Sequence, residues 1–356
     1  MNINIIGTGL FKSGGMRIIF EYANRLTRNG HNVIYYYPIK QYYFNKESCY
    51  RKIKRYYGAL KHYFLYKNEI KSFYKIKCEL KFVPFISNIF IRDADIIFAT
   101  QWPTAYDVNS LNITKGKKFY FLQDYEIWES DKSKVDNALS LNLTKITISN
   151  YNKVFFKETF NVDTHVILNG IDFDLYNNEN KNYSNRKKVI TFIEHHLDSK
   201  GVDNAIYVIE KLNSIYSDIE FLCFGQHKYH KIPDFVKFYQ NLSDEDIVKY
   251  VYNVTDIFIY PSIKEGFALP PAEAMACKCA VVTTTVGAVP EYSIHNETAI
   301  HVKPDDPEDL FNSVNRLIQN DKEIMRLSEN AYIGIRNSLK WNDSVLKMEQ
   351  LFRESI

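Results

Sequence analysis

Lys264-Glu265-Gly266-Phe267-Ala268-Leu269-Pro270-Pro271-Ala272-Glu273-Ala274-Met275-Ala276 decides how this 356-residue chain is read. The apolar run Asp256-Ile257-Phe258-Ile259-Tyr260 precedes it and predicts a buried strand. Pro270-Pro271 announce a helix, because proline suits a first turn in which its missing N–H costs nothing. The order is strand, loop, helix N-terminus, with Glu265 in the loop and Glu273 expected in the first helical turn. A loop feeding a helix N-terminus offers N–H donors to a phosphate. A carboxylate beside it can accept hydrogen bonds from the hydroxyls of a sugar or ribose. Glu273 also has a plain structural explanation, since the helix dipole favours an acid in a first turn by roughly a few tenths of a kcal/mol.

With these residues the segment resembles the Glu-x7-Glu signature of the retaining GT-B glycosyltransferases, in particular glycosyltransferase family 4. The likeness continues in Val281-Val282-Thr283-Thr284 and Gly287-Ala288-Val289-Pro290-Glu291, the family's usual next strand and turn. It implies an α/β GT-B fold, with two Rossmann-like doubly wound domains facing across a cleft. It also implies transfer of a sugar, with retention of configuration, from a nucleotide-diphosphate sugar to a glycan or lipid-linked glycan acceptor. Cell-surface polysaccharide or glycoconjugate assembly is the expected setting, with no metal or other cofactor. The resemblance is strongest over residues 240–300 and weakest over residues 40–90.

Outward from the motif, strand-like and helical stretches alternate, as in parallel α/β sheets. Ile3–Ile6, Val33–Tyr37, Asp95–Ala99, Lys118–Leu122, Lys145–Ile148 and His165–Leu168 read as strands of a first domain. Lys188–Ile193, Glu220–Phe224, Asp256–Tyr260 and Ala280–Thr284 read as strands of a second. The polar stretch Tyr176–Arg186 reads as a linker. The expected domains are residues 1–175, on the acceptor side, and residues 176–340, on the donor side. A final helix over 341–356 is expected to return to the first domain, as the family resemblance implies. Apolar residues make up 46% and charged residues 24%, values of an ordinary globular protein rather than a disordered one. No apolar stretch approaches a membrane span of about 18–20 residues. The N-terminus reads as a strand rather than a signal peptide, so a cytoplasmic setting is expected. The five scattered cysteines fit reduced thiols.

Net charge is only +3, yet Lys40 to Phe82 carries twelve Lys/Arg against three acids, interleaved with twelve Tyr or Phe. Basic residues among aromatics suit an anionic membrane surface, so peripheral contact at the inner face of a membrane through residues 40–82 is expected. A solvated helical excursion explains the composition equally well. The charge would also suit nucleic acid, but no nucleic-acid-binding motif supports it, and none is expected as a partner.

Several other stretches carry candidate chemistry. Gly7-Thr8-Gly9-Leu10-Phe11-Lys12-Ser13-Gly14-Gly15 follows the first strand, but Lys12 interrupts the dinucleotide pattern and no acid follows the second strand at Tyr37-Pro38. The resemblance assigns Gly14 and Gly15 to the family's glycine loop beside the donor phosphates or the acceptor. It assigns Lys200, before Gly201, and His195, where the family has arginine, to the donor diphosphate, and it assigns Gly225, Gly266, Phe267, Ala268 and Leu269 to donor binding. Glu265 is expected to serve the transferred sugar and Glu273 the ribose. Glu194 and Ala268 stand where the family commonly has glycine. Gln123-Asp124 and Trp102 are expected on the acceptor side, with Asp124 catalytic beside Glu265 and Lys200. Gln123-Asp124-Tyr125-Glu126, with Ala99 to Ala105, resembles a rhamnosyltransferase-like subset. Asp93-Ala94-Asp95 imitates a metal-binding Asp-x-Asp, but it precedes a strand, at the edge opposite the ligand crevice of a parallel sheet. Two other readings remain beside transfer: a catalytically silent partner subunit that binds glycan or an active paralogue, and a nucleotide-sugar epimerase.

Overall fold

The computed structural model describes residues 1–39, 42, 58, 67–127, 131–179, 181–182 and 186–356. Most of the basic, aromatic window from residue 40, and with it the expected membrane contact, lies outside the described residues. The chain divides into two compact units, Met1–Leu168 with Ser344–Ile356, and Asn169–Asp343.

Unit 1 is built on a parallel sheet of β1 (Asn2–Ile6), β2 (Asn32–Pro38), β3 (Glu79–Val83), β4 (Ile96–Ala99), β5 (Lys117–Leu122), β6 (Thr144–Thr147) and β7 (His165–Val166), in the order β3-β2-β1-β4-β5-β6-β7. Unit 2 contains β8 (Lys188–Ile193), β9 (Ile219–Gly225), β10 (Val236–Gln240), β11 (Ile257–Tyr260), β12 (Ala280–Thr284) and β13 (Ile300–Val302), in the order β10-β9-β8-β11-β12-β13, again parallel. Both are the doubly wound order of a Rossmann sheet, which reverses direction between the first and fourth strands. Central strands such as β4 and β11 are buried at every residue, as sheets covered on both faces require. In unit 2 the helices Val202–Ile215 and Pro307–Ile318 pack through Val208, Leu212, Val314 and Leu317 onto Ile190, Ile257 and Val282.

The sequence pattern misses β3, β10 and β13. The first two are edge strands with exposed charged positions, Lys81 and Lys237, so neither presents a continuous apolar run. Asp244–Tyr252 forms one α-turn, Asp244–Ile247, running into a π-helical segment, Val248–Tyr252.

The observed boundary falls earlier than the polar stretch at Tyr176–Arg186. Tyr176 is buried, Asn178 Nδ2 donates to Asn253 O, and the Arg186 guanidinium grips both oxygens of Asp256 at 2.8 and 2.6 Å. The described part of this stretch is therefore a strap of unit 2, tied down through Asn178, Lys181 and Arg186. Ile171 is already tied to that unit by a bridge to Lys340.

From Ser344 onward the helix Trp341–Ser355 belongs to unit 1. Phe352 is fully buried, its ring 5.0 Å from Phe119 and 6.2 Å from Phe98. Glu349 Oε1 accepts from Asn29 Nδ2 at 2.8 Å and lies 3.0 Å from His31 Nε2. Phe352→Ala is expected to lower the unfolding free energy by about 3–5 kcal/mol, read as a lower denaturant midpoint. An unchanged midpoint would remove this helix from the core.

Candidate active site

In open α/β sheets ligands bind beyond the carboxyl ends of the strands, where the strand order reverses. In unit 2 that point lies between β8 and β11. The loops leaving those two strands carry Glu194 to Lys200 and Pro261 to Ala268, so topology alone brings together two motifs separated in sequence. The Ser199 carbonyl accepts from Ile263 N at 2.7 Å and Lys264 N at 3.3 Å, zipping one loop to the other. Gly201 makes this approach possible. Its φ is +65°, and a Cβ would sit 2.1 Å from Pro261 O.

Across the zipped loops, Lys200 Nζ meets Glu265 Oε1 at 2.6 Å. Glu265 is only 8% exposed, and the same oxygen accepts from Tyr260 OH at 2.6 Å and lies 2.8 Å from Ser262 Oγ. Gly287, in the turn after β12, is packed beneath it, since a Cβ there would come within 2.9 Å of Glu265 Cβ.

Beyond Glu265, Phe267 is buried with its ring 5.9 Å from Tyr292, and Ala268 precedes the helix Leu269–Ala276. Among the described residues, no acceptor meets the backbone N–H groups of Phe267, Ala268 or Leu269. Ala268 has φ +68°, so it keeps the glycine-type backbone although it carries a methyl group. Its departure from the family pattern leaves the turn intact. Glu273 is not in the first turn, which holds no acid; it lies deeper in the helix and is 5% exposed. The dipole explanation for it therefore falls away. Its Oε2 instead accepts from Tyr252 OH at 3.1 Å, and Tyr252 ends the π-helical segment.

His195 differs in charge from the arginine of the family pattern. Burial, helped by the positive charge of Lys200, pushes its pKa down to about 4. With no ligand bound the ring is therefore neutral at ordinary pH, where an arginine would be charged. Leu197 N donates to Nδ1 at 3.1 Å, so the proton sits on Nε2, which is left as a neutral donor. Glu194 turns inward: Oε1 accepts from Tyr229 N, His230 N and the His230 ring at 3.1, 3.2 and 2.8 Å. Gly225, at the end of β9, is needed for backbone packing, since a Cβ would stand 2.7 Å from Glu194 O.

Unit 1 has its own reversal point, between β1 and β4. There the glycine loop, the segment from Thr100 to Trp102 and the end of β5 converge. Ser13 caps the helix Gly14–Arg28, and Tyr74 OH accepts from Ser13 N at 2.7 Å. Gln123 Nε2 donates to Gly15 O at 3.2 Å, joining two expected site segments, while Asp124 Oδ1 accepts from the next amide, Tyr125 N. Both Gln123 and Asp124 are half-buried. Trp102, expected against the acceptor, is 6% exposed and packs in the core as the first residue of the helix Trp102–Ser110. Sequence reasoning gave no role to Glu126. It accepts from Trp102 N at 2.7 Å and caps that helix, and burial pushes its carboxyl up to about 8. Only its place in Gln123-Asp124-Tyr125-Glu126 could have drawn attention to it.

Asp95 accepts from Asn2 N, and Asp93 pairs with Lys115 at 2.8 Å, so both serve the opposite sheet edge. Among the described residues, no group of three His, Cys, Asp or Glu could hold a metal, and no helix is long and apolar enough to cross a membrane.

The sequence model of the family described as glycosyl transferases group 1 matches residues 176–333. That match covers less than half of the chain. An uncharacterised glycosyltransferase of Methanocaldococcus jannaschii is 27% identical over 68% of this chain and 64% of its own length. Two further curated relatives are spanned over only 48% and 39% of theirs. The capsular polysaccharide biosynthesis glycosyltransferase CapM of Staphylococcus aureus is 23% identical over 81% of this chain and 83% of its own. HepE of Anabaena, solved in complex with UDP, matches with a TM-score of 0.75 at 15% identity, covering 99% of this chain and 100% of that one. The fold is that of the GT-B glycosyltransferases, with two Rossmann-like units in one chain.

Two outcomes follow for this site. UDP-glucose keeps a constant diphosphate charge near neutrality, and His195 is neutral there. Any affinity for it should be flat between about pH 6 and 8, tightening only as His195 gains a proton toward about pH 4. A titration in which affinity weakens across that range, and ceases to do so in His195→Arg, would contradict a neutral ring. Ala268→Gly should leave stability unchanged or raise it by up to about 1 kcal/mol, because glycine relieves the left-handed backbone; a clear loss on chemical unfolding would mean that the methyl packs better than the backbone suffers.

Proposed function

We propose that the protein transfers a sugar from a nucleotide-diphosphate donor to a hydroxyl of a glycan or lipid-linked glycan, with retention of configuration, as a member of glycosyltransferase family 4. The observation that carries this reading is the Lys200–Glu265 contact at the reversal point of unit 2, beside the unpartnered amides before the helix Leu269–Ala276. A diphosphate leaving group needs positive charge and N–H donors, and a sugar turning cationic at its anomeric carbon needs a nearby carboxylate. Lys200, the Nε2–H of His195 and the amides of Phe267 to Leu269 supply the first. Glu265 supplies the second and accepts from sugar hydroxyls, while Glu273 takes the ribose. This set of protein donors carries the leaving charge without a metal. Gln123 and Asp124 act on the acceptor from unit 1.

The UDP bound by HepE supports a nucleotide donor, and the name of CapM supports capsule-type polysaccharide assembly as the setting. A cytoplasmic enzyme meeting a lipid-linked acceptor at the membrane fits both. The departure at Glu194, which would suit a silent subunit, has another explanation: its carboxylate faces the interior and organises Tyr229 and His230.

A thermal-shift screen against UDP-, GDP- and dTDP-sugars tests the donor, since a ligand of the folded state raises its stability. Lys200→Ala and Glu265→Ala should each lose at least about 10²–10³ in turnover while still unfolding cooperatively. Near-normal turnover in either variant sinks the assignment. Product mass separates transfer, which yields a larger glycan, from epimerisation, which returns a free donor.

A further inference from the structure

Glu265 is held in an unusual way. Three donors, Lys200 Nζ, Tyr260 OH and Ser262 Oγ, converge on Oε1 within 2.6–2.8 Å, and among the described residues nothing donates to Oε2. Tyr260 ends β11 and is 3% exposed, and Ser262 is fully buried. Burial and the nearby carboxylate raise the Tyr260 phenol well above its ordinary value, so it stays a neutral donor. Ser262 Oγ also lies 3.0 Å from Ser199 O and 3.3 Å from Lys264 O. It has one proton, and the carboxylate, charged and nearest, takes it.

Resting on the transferase reading above, Lys200 cannot serve two anions equally. With no donor bound, its charge is turned toward Glu265. A diphosphate draws it away, leaving a nearly dry carboxylate without its cation. Such a group takes a proton or swings toward water unless other donors hold it. We propose that Tyr260 and Ser262 are positioning residues, which grip Glu265 by Oε1 while Lys200 moves to the diphosphate and so leave Oε2 to accept from the sugar. The two hydroxyls are neutral, so they hold the carboxylate without cancelling the negative charge that the sugar needs.

The test has two arms on the full chain. In the first, crystal structures without donor compare Lys200→Ala with Lys200→Ala/Tyr260→Phe/Ser262→Ala. Glu265 Oε1 should remain within hydrogen-bond reach of both hydroxyls in the first variant and turn away in the second. A carboxylate that swings out with both hydroxyls present, or stays with neither, overturns the proposal. In the second, nucleotide release is measured with whichever of UDP-glucose, GDP-mannose and dTDP-rhamnose gives the largest thermal shift. Tyr260→Phe, which keeps the buried ring, should lower kcat by about tenfold and leave the donor KM within about threefold; Ser262→Ala should behave alike. Unchanged kcat in both, or a rise in KM alone, overturns it. A wild type that binds and turns over none of the three counts against the transferase reading, and the crystal comparison then decides the positioning claim by itself.

Discussion

A lysine after the first strand of the second sheet and a glutamate after the fourth meet at 2.6 Å, and much of unit 2 can be understood as what allows that meeting. Strand order brings the two loops to one place, but loops with ordinary side chains would not pack closely enough. Gly201 lets the first loop lie against Pro261 O, and Gly287 lets the turn after β12 slide under Glu265. The Ser199 carbonyl then fixes the register between the loops with two backbone bonds. An ion pair built this way is 19% exposed on one side and 9% on the other, dry enough for its charges to matter and open enough for a ligand to compete.

How much of this was legible depended on whether a residue's role is local. The strand, loop and helix around Glu265 were readable because an apolar run, a glycine and two prolines each act on their own neighbourhood. Lys200 was readable through its neighbour Gly201. Tyr260 and Ser262 were hidden in plain sight, one as the last residue of an apolar strand and the other in a loop after proline. Nothing in their spacing says that their hydroxyls turn onto one carboxylate. Glu126 went unread for a related reason: a helix cap joining residues more than twenty positions apart leaves no periodic trace. The edge strands β3 and β10 were lost because an exposed edge dilutes the hydrophobic pattern.

Two of the three departures from the family pattern in unit 2 are resolved by different physics. At Ala268 the backbone wins: the chain accepts left-handed strain rather than reshape the turn, because Tyr292 OH holds the Ala268 carbonyl at 2.7 Å. At Glu194 the side chain wins, since folding it inward gives Oε1 three donors. Its Oε2, buried and without a hydrogen-bond partner among the described residues, is the cost of that choice.

His195 completes the electrostatic argument. An arginine at this position would add a second fixed cation beside Lys200, and the two would compete for Glu265 before any donor arrived. A histidine kept neutral by burial and by that same lysine contributes an N–H without a charge. At the contact itself the balance is then one lysine against one glutamate. On the proposed function, a diphosphate entering here would shift the balance to negative, where a developing sugar cation would best be met. On that same function, a histidine in place of the arginine would leave Lys200 as the cation for the leaving group, and the hydroxyl grip on Glu265 would matter more than in a site with cations to spare.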